Sequence, residues 1–258
     1  LTRQKGASME KPPATDERSS GLRRLTRAGW REIRILTALM LVTGGLWAFA
    51  KIAEEVMEGE TRGFDRFILL ALRTPSNPSD PLGPPWVEAM ARDITSLGGI
   101  VVLLMVSVAA VGFLFLVRRP AAALLVVASV GGGTVLSTLL KLGFERPRPE
   151  LVPHGAEVFT ASFPSGHAML SAVVYLTLGA LLARTQSRRR VKAYLLTLAV
   201  LLTGMVGVSR VYLGVHWPTD VMAGWCIGSA WAILCWLVAR WLQGRGRMKA
   251  ESGEDVEE

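Results

Sequence analysis

Residues 98–117 read GGIVVLLMVSVAAVGFLFLV and residues 121–140 read AAALLVVASVGGGTVLSTLL, with only Arg-Arg-Pro between them. Neither stretch contains a charged residue. A helix of this length measures about 30 Å, which is the hydrocarbon thickness of a bilayer. The two stretches therefore predict a pair of membrane-spanning helices joined by a short basic turn.

Four further apolar stretches predict additional spans, at residues 35–53, 165–183, 193–208 and 221–241. The complete pattern predicts an all-α fold, a polytopic membrane helix bundle with six transmembrane helices. Half of the chain is hydrophobic and 19% is charged, below the quarter that is typical of soluble domains. This composition argues against a single soluble core and against a disordered or collagen-like chain.

The basic residues flank the apolar stretches, so the net charge of +8 indicates orientation in a membrane and not nucleic-acid binding. Of the 29 Lys and Arg residues, 20 lie before residue 35, at 118–119, at 184–192 and from residue 240 onward. The positive-inside rule places these segments in the cytoplasm. We therefore expect a multi-pass cell-membrane protein with both termini cytoplasmic and the other connections outside.

The polar ends of the chain are interpreted as tails of the membrane domain. Residues 1–34 predict a basic, disordered cytoplasmic tail, residues 35–241 the six-helix domain, and residues 242–258 a second disordered cytoplasmic tail. We interpret the first apolar stretch as an uncleaved anchor.

The first outer connection contains a further apolar stretch, FDRFILLAL at residues 64–72. Its pattern predicts a short helix lying at the membrane interface. Prolines then interrupt the chain at positions 75, 78, 81, 84 and 85. An ordinary connecting loop and a lid that contacts substrate are both compatible with this segment.

The two cysteines and three histidines show no metal-binding spacing, so we expect neither a metal nor another cofactor. Cys226 and Cys235 lie nine residues apart in the last apolar stretch, about 13 Å along a helix. This separation is too large for a disulfide within one straight helix.

Polar residues concentrate in two outer connections, residues 141–167 and residues 209–220. Lys141, Arg148 and Arg210 are cations beside apolar stretches, where a charge is costly unless it meets an anion. Ser165 is a natural N-cap, and Gly166 allows close backbone approach at the start of a helix whose free N–H groups favour anions. These features together predict a bound phosphate.

His216 stands four residues before Asp220, and Pro218 suits the first position of the helix between them. Asp220 can then reach one ring nitrogen of His216, which fixes the tautomer and leaves the other nitrogen able to attack. This spacing predicts a nucleophilic histidine.

Each of these residues also has a simpler interpretation when taken alone. Asp220 would be a helix-start acid, Ser165 only a cap, Arg210 an interface anchor and His167 a satisfied loop residue. Nothing in the sequence coordinates with Arg146 or His154, so a functional role is not favoured for either. Three acids are interpreted as solvated loop charges: Glu145, Glu150 and Glu157.

In combination, the residues resemble a known family. Lys141-x6-Arg148-Pro149, then Pro164-Ser165-Gly166-His167, then Ser209-Arg210-x5-His216-x3-Asp220 is similar to the three-part signature of the type 2 phosphatidic acid phosphatase superfamily, in its membrane-bound branch. All eleven fixed positions match in order and spacing. The six-span pattern extends the resemblance over about residues 35–241.

The resemblance implies a role for each matched residue. His216 would be the nucleophile that forms a phosphohistidine, Asp220 would orient it, and His167 would protonate the leaving oxygen and later activate water. The phosphoryl oxygens would be held by five residues, Lys141, Arg148, Ser165, Gly166 and Arg210. No metal would be required.

We therefore expect an integral membrane lipid phosphatase whose site faces away from the cytoplasm. Its substrate would be a lipid phosphate or diphosphate, namely undecaprenyl diphosphate, phosphatidate or phosphatidylglycerol phosphate; the compact six-span pattern favours the first. A phosphotransferase with the same intermediate is the nearest alternative. A transporter or non-catalytic scaffold is disfavoured, since the apolar stretches lack buried charges. The sequence indicates no protein partner and leaves the particular lipid open.

Overall fold

The computed structural model describes the backbone of residues 15–149 and 161–254, with side chains for residues 32–149 and 161–243. The chain divides into two units, Leu1–Met40 and Leu41–Glu258. The elements in order are α1 (Thr15–Glu58), α2 (Arg62–Ala71), β1 (Arg73–Thr74), β2 (Asn77–Pro81), α3 (Pro85–Ser96), α4 (Ile100–Leu116), α5 (Pro120–Gly143), α6 (Gly166–Thr185), α7 (Arg189–Tyr212) and α8 (Pro218–Glu254).

Five described helical segments are long and apolar enough to cross a membrane. They lie in α1, α5, α6, α7 and α8. The predicted second span differs, because α4 has only 17 residues and follows α3 at a bend of 46°. Leu97, Gly98 and Gly99 interrupt the helix there. The count reaches six if α3 and α4 form one bent span, so six spans remain a prediction.

The fold is mostly helical, as predicted, and a small hairpin is added in the connection between α1 and α3. Helix α2 covers the segment expected to be a short helix, while its position at the interface remains a prediction. Strands β1 and β2 then form a small antiparallel hairpin that pairs Arg73 with Pro81 and Thr74 with Asn77. Prolines at 75, 78 and 81 disfavour helix but are tolerated at strand edges, which explains the hairpin.

Two helices extend beyond the apolar stretches that predicted them. Helix α1 begins at Thr15 and α8 ends at Glu254, so helical backbone covers part of both segments expected to be disordered. These extensions are rich in Arg, Leu, Lys, Ala and Glu, which have high helix propensity. Residues 1–14 and 255–258 of the expected tails lie outside the described residues.

Helix α6 lies at the centre of the bundle, in contact with α4, α5, α7 and α8. Small residues let α8 approach its backbone closely. A Cβ atom added to Gly224 would lie 2.7 Å from the Ser165 carbonyl oxygen, and one added to Gly228 would lie 2.5 Å from the Met169 carbonyl oxygen. This packing brings the starts of α6 and α8 together, where the Ser165 N–H donates to the Asp220 carbonyl at 2.9 Å.

Three phenylalanines support the loops beside these helix starts. Phe163 is fully buried before α6, stacks on Phe49 of α1 at 5.9 Å between ring centroids, and meets Phe144 edge-on at 4.9 Å. Phe144 follows the end of α5. The aromatic cluster therefore fixes the chain that leaves α5 and the chain that enters α6 against the same wall.

Candidate active site

The chain after α5, the chain before α6 and the turn between α7 and α8 meet around one cavity of about 650 Å³. The signature residues that line it are Lys141, Arg148, Gly166, His167, Arg210 and His216. Two predicted site residues, Ser165 and Asp220, are completely buried and do not line the cavity. The structure thus brings six of the eight predicted residues to one cavity; Ser165 adjoins it next to Gly166, and Asp220 lies against His216.

His216 and Asp220 form the predicted pair at the start of α8. Nδ1 of His216 lies 3.4 Å from Oδ2 of Asp220, and both side chains are almost fully buried. The Trp217 N–H also donates to Oδ2 at 2.9 Å, and the Ser162 hydroxyl donates to the same oxygen. These bonds hold the carboxylate against the imidazole edge.

The neighbours of His216 fix its tautomer. Arg148 Nη1 lies 3.3 Å from Nε2, and because a guanidinium only donates, Nε2 must accept. The proton of the neutral ring therefore sits on Nδ1, facing the Asp220 carboxylate. Burial lowers the pKa of His216 from 6.5 to about 4, and the hydrogen bond to Asp220 only partly opposes this shift. The ring is therefore neutral near pH 7, with an unprotonated Nε2 whose lone pair accepts from Arg148 in this structure.

Three cations surround the cavity side of His216. Arg148 Nη1 also donates to the Val215 carbonyl at 2.8 Å, and burial lowers the pKa of Arg148. Arg210 Nη1 donates to Thr95 Oγ1 at 3.1 Å, while its Nε is buried and has no hydrogen-bond partner among the described residues. Lys141 lies in the last turn of α5 and lines the same cavity. This concentration of positive charge suits an anion.

The side chain at the N-cap of α6 does not bond to the N–H groups at the start of this helix. Ser165 occupies the N-cap position, but its side chain makes no capping hydrogen bond, contrary to the prediction. The hydroxyl is buried and lacks a partner within the described part of the chain. A Cβ atom on Gly166 would lie 3.6 Å from Nζ of Lys141. Glycine therefore leaves room between the helix start and the ammonium group.

His167 lies in the first turn of α6 and lines the cavity together with His216. Gly98 packs closely against α6 and α7, because a Cβ atom there would lie 3.4 Å from Cδ2 of His167 and 2.3 Å from Cγ1 of Val206. The two histidines thus reach one cavity from the starts of two different helices, as a nucleophile and an acid for the same substrate would have to.

Sequence reasoning missed Arg146, which was interpreted as having no partner. Its Nη1 lies 2.6 Å from Oδ1 of Asp220, and its Nη2 lies 2.6 Å from Oδ2 of Asp65. It also donates to Thr219 Oγ1 at 2.8 Å, and its guanidinium carbon lies 5.6 Å from the centre of the Trp217 ring. The available signal was the Arg-Pro-Arg-Pro run, in which a second arginine precedes the signature arginine by two residues.

Asp65 and Ser162 were also missed. Asp65 is an acid within the apolar stretch at residues 64–72, which is a signal for a buried partner. Glu145, interpreted as a solvated loop charge, is exposed and lines the edge of the cavity. His154 and the other two acids so interpreted, Glu150 and Glu157, lie outside the described residues.

Within residues 32–149 and 161–243, no group of three His, Cys, Asp or Glu side chains is placed to hold a metal ion. Cys226 and Cys235 are both unpaired and partly buried. The groups that the cavity offers to a ligand include three cations, two imidazoles and the start of a helix, with the carboxylate of Glu145 at its edge.

Comparison with known proteins places this site in a family. The family model described as the PAP2 superfamily matches residues 122–243, which contain all eight predicted site residues. The chain is 35% identical over 147 residues to phosphatidylglycerophosphatase B of Bacillus subtilis (strain 168), covering 56% of this chain and 71% of the relative. It is 36% identical over 95 residues to an undecaprenyl-diphosphatase of Sulfolobus acidocaldarius, covering 37% and 40% of the two chains.

A solved structure extends the likeness beyond the family model. The crystal structure of a transmembrane PAP2-type phosphatidylglycerolphosphate phosphatase from Bacillus subtilis matches with a TM-score of 0.63 and 28% identity. The match covers 77% of this chain and 93% of the other. A multi-pass membrane architecture is therefore common to both.

Proposed function

The chain belongs to the PAP2 superfamily, and we propose that it is an integral membrane lipid phosphatase with a phosphohistidine intermediate. Its substrate would be a lipid phosphate or diphosphate, such as undecaprenyl diphosphate, phosphatidate or phosphatidylglycerol phosphate. The names of the two relatives support this substrate class. Apolar side chains also line one part of the cavity, where Ile100 and Leu142 are largely exposed on the outside of the bundle, as a lipid-facing wall requires.

The His216 ring is the observation that carries the proposal. Its Nδ1 faces the Asp220 carboxylate, its Nε2 faces Arg148, and the ring lines a cavity that is bordered by two further cations. A neutral imidazole held in this tautomer beside an anion site has the geometry of an activated nucleophile.

In the proposed first step, Arg148 donates to a phosphoryl oxygen instead of to Nε2, the freed Nε2 lone pair of His216 forms a bond to phosphorus, and the bond from phosphorus to the leaving oxygen breaks. The electron pair goes to that oxygen, and His167 supplies its proton. In the second step, water attacks the phosphorus, the nitrogen–phosphorus bond breaks, and His167 accepts the water proton. Inorganic phosphate leaves, and the neutral imidazole of His216 is restored.

The proposed stabilisation of the transition state is electrostatic. Lys141, Arg148 and Arg210 would face the negative charge on the phosphoryl oxygens, and the N–H groups at the start of α6 would add to them. The Ser165 hydroxyl, which has no partner among the described side chains, would donate to the same oxygens. These cations would serve where other phosphatases use a metal ion.

We place the site on the extracytoplasmic side from the distribution of basic residues. Two exposed serines provide matched reporters, Ser79 in the hairpin and Ser187 between α6 and α7. With Cys226 and Cys235 replaced, Ser79→Cys should react with an impermeant thiol reagent in intact cells, and Ser187→Cys only after lysis. The opposite pattern would invert the topology.

The decisive experiment supplies the purified protein with a lipid carrying labelled phosphate and measures both phosphate release and acid-labile phosphoenzyme. Wild type should form both, whereas His216→Ala should form neither and lose at least about 10⁴-fold in rate. Tyr194→Ala is the control, since this exposed residue lies at the opposite end of the helix that carries Arg210. Labelled phosphoenzyme in His216→Ala would overturn the assignment of His216 as the nucleophile. Transfer of label to an added acceptor lipid, instead of water, would identify a phosphotransferase.

A further inference from the structure

Behind His216, on the side away from the cavity that it lines, lies a chain of three charges, of which two are fully buried and one, Arg146, is partly exposed. Asp65 of α2 is paired with Arg146, and Arg146 is paired with Asp220, each at 2.6 Å. We infer that Asp65 is a positioning residue, which holds Arg146 on Asp220 and thereby orients His216. The kinetic part of this inference rests on the proposed function.

Asp65 is bound too completely to be an incidental surface acid. Its side chain is 1% exposed. It accepts hydrogen bonds from the Thr219 N–H at 3.0 Å and from the Thr219 hydroxyl at 2.7 Å, in addition to the Arg146 guanidinium. A buried carboxylate is tolerated only when its charge and lone pairs are matched in this way.

The three charges do not cancel, and this matters for the imidazole. Arg146 is shared between two carboxylates, so the group of Asp65, Arg146 and Asp220 carries one net negative charge. Without Asp65, the full positive charge of Arg146 would face Asp220 and weaken its hold on the Nδ1 proton of His216. Asp65 therefore keeps Asp220 a strong acceptor while Arg146 keeps it in place.

Asp65 also fixes the first turn of α8, where the dyad begins. It receives the backbone N–H of Thr219, the residue next to Asp220. Thr61, immediately before α2, accepts a further hydrogen bond from Arg146 at 3.3 Å. Helix α2 lies outside residues 122–243, which the family model matches. Helix α2 would therefore help to position His216, although it lies outside the residues that the family model matches.

The test combines Asp65→Asn with a readout that needs no turnover. Asparagine keeps the volume and can still accept from Thr219, but it removes the charge. In protein labelled with ¹⁵N-histidine, wild-type His216 should show one Nδ1–H tautomer at neutral pH, with its signal identified by its loss in His216→Gln. Asp65→Asn should show a mixture of tautomers, recorded below its melting temperature, which should itself fall because the variant leaves the Arg146 charge without one of its two partners.

Kinetics should change in parallel. We expect kcat to fall about 10-fold in Asp65→Asn while KM stays within about twofold, because outer partners of a reacting group affect the transition state more than binding. In an Arg146→Gln background the same change should have little further effect, because the connection to Asp220 is already broken. Asp80→Asn is the matched control, an exposed hairpin acid bonded to Thr74.

An unchanged tautomer in folded Asp65→Asn would overturn the inference, as would an equal loss of kcat with and without Arg146. A lowered melting temperature with no tautomer shift would assign Asp65 a purely structural role. Wild-type protein that releases no phosphate from any lipid, yet still shows the tautomer shift on losing Asp65, would instead refute the proposed function and leave the positioning role standing.

Discussion

Helices α6 and α8 begin side by side in the centre of the molecule, and they treat their starting N–H groups in opposite ways. At α8 the protein supplies its own anions, because Asp65 accepts from the Thr219 N–H and Asp220 accepts from the Trp217 N–H. At α6 no side chain caps the helix, and Ser165 keeps an unpartnered hydroxyl within the described structure.

The difference shows which helix start is structural and which is suited to a ligand. Both starts have the partial positive charge that favours anions. At α8 two buried carboxylates already match it. At α6 the Nζ of Lys141 would lie 3.6 Å from a Cβ atom on Gly166, and this cation adds to the positive potential. One start therefore holds His216, the proposed nucleophile, in place, and the other is open to the proposed phosphate.

At the α6 start, the largest effect should come from removing His167, the proposed general acid. A lipid alkoxide is a poor leaving group, so His167→Ala should slow phosphoenzyme formation from a lipid monophosphate by about 10²–10⁴-fold. A diphosphate expels a much weaker base, so His167→Ala should slow phosphoenzyme formation from a diphosphate by a smaller factor. Rapid-quench measurement of labelled phosphoenzyme separates this step from the later attack of water. Equal losses for both substrates would leave His167 as a phosphate contact only.

The sequence identified more of the residues that line the cavity than of those that lie behind His216. Lys141, Arg148 and the two histidines were found because their spacing within short segments matches a known signature. The partners of Arg146 were not found, because Asp65 lies 81 residues away in the sequence and no local pattern connects them. Burial of an ion pair between distant segments depends on packing that only the fold provides.

The fold itself shows the same division. Apolar length predicted the spans, since a bilayer imposes it on each helix separately. The bend between α3 and α4 and the hairpin after α2 were not predicted, because they depend on how glycine and proline segments settle against neighbouring helices. Ser165 was correctly placed at a helix start, but its hydroxyl does not cap the helix.

The pH dependence should distinguish a buried nucleophile from an exposed one. Attack requires a neutral His216 ring, and burial lowers the pKa of this ring to about 4. As pH falls, kcat/KM should therefore persist below 6.5 and be lost only near pH 4, after correction for substrate ionisation measured by ³¹P NMR. A corrected acid limb at 6.5 would show that the ring is solvated and that the rear network does not shield it.

Ser165→Ala should separate activity from stability at the α6 start. If the hydroxyl donates to the phosphoryl group, turnover should fall by about 10²-fold, as for the loss of one oxyanion donor. Thermal stability should not fall, since the described structure gives the hydroxyl no partner to lose. A lowered melting temperature with normal turnover would make Ser165 structural and remove the contrast with α8.

The smallest effect is expected at the α8 start, where the change should lower stability, whereas Ser165→Ala should lower turnover. Thr219 is buried, and its hydroxyl accepts from Arg146 and donates to Asp65, so Thr219→Val leaves two buried charged groups short of a hydrogen bond. We expect a loss of about 1–3 kcal/mol in the free energy of unfolding, measured by denaturant titration in detergent. Thr203→Val is the matched control and should cost less, because among the described residues that buried hydroxyl bonds only to the Ala199 carbonyl of its own helix, at 2.9 Å. If the two valine variants were equally stable, the charges behind His216 would not depend on Thr219. The proposed contrast between the bonded start of α8 and the open start of α6 would then fail.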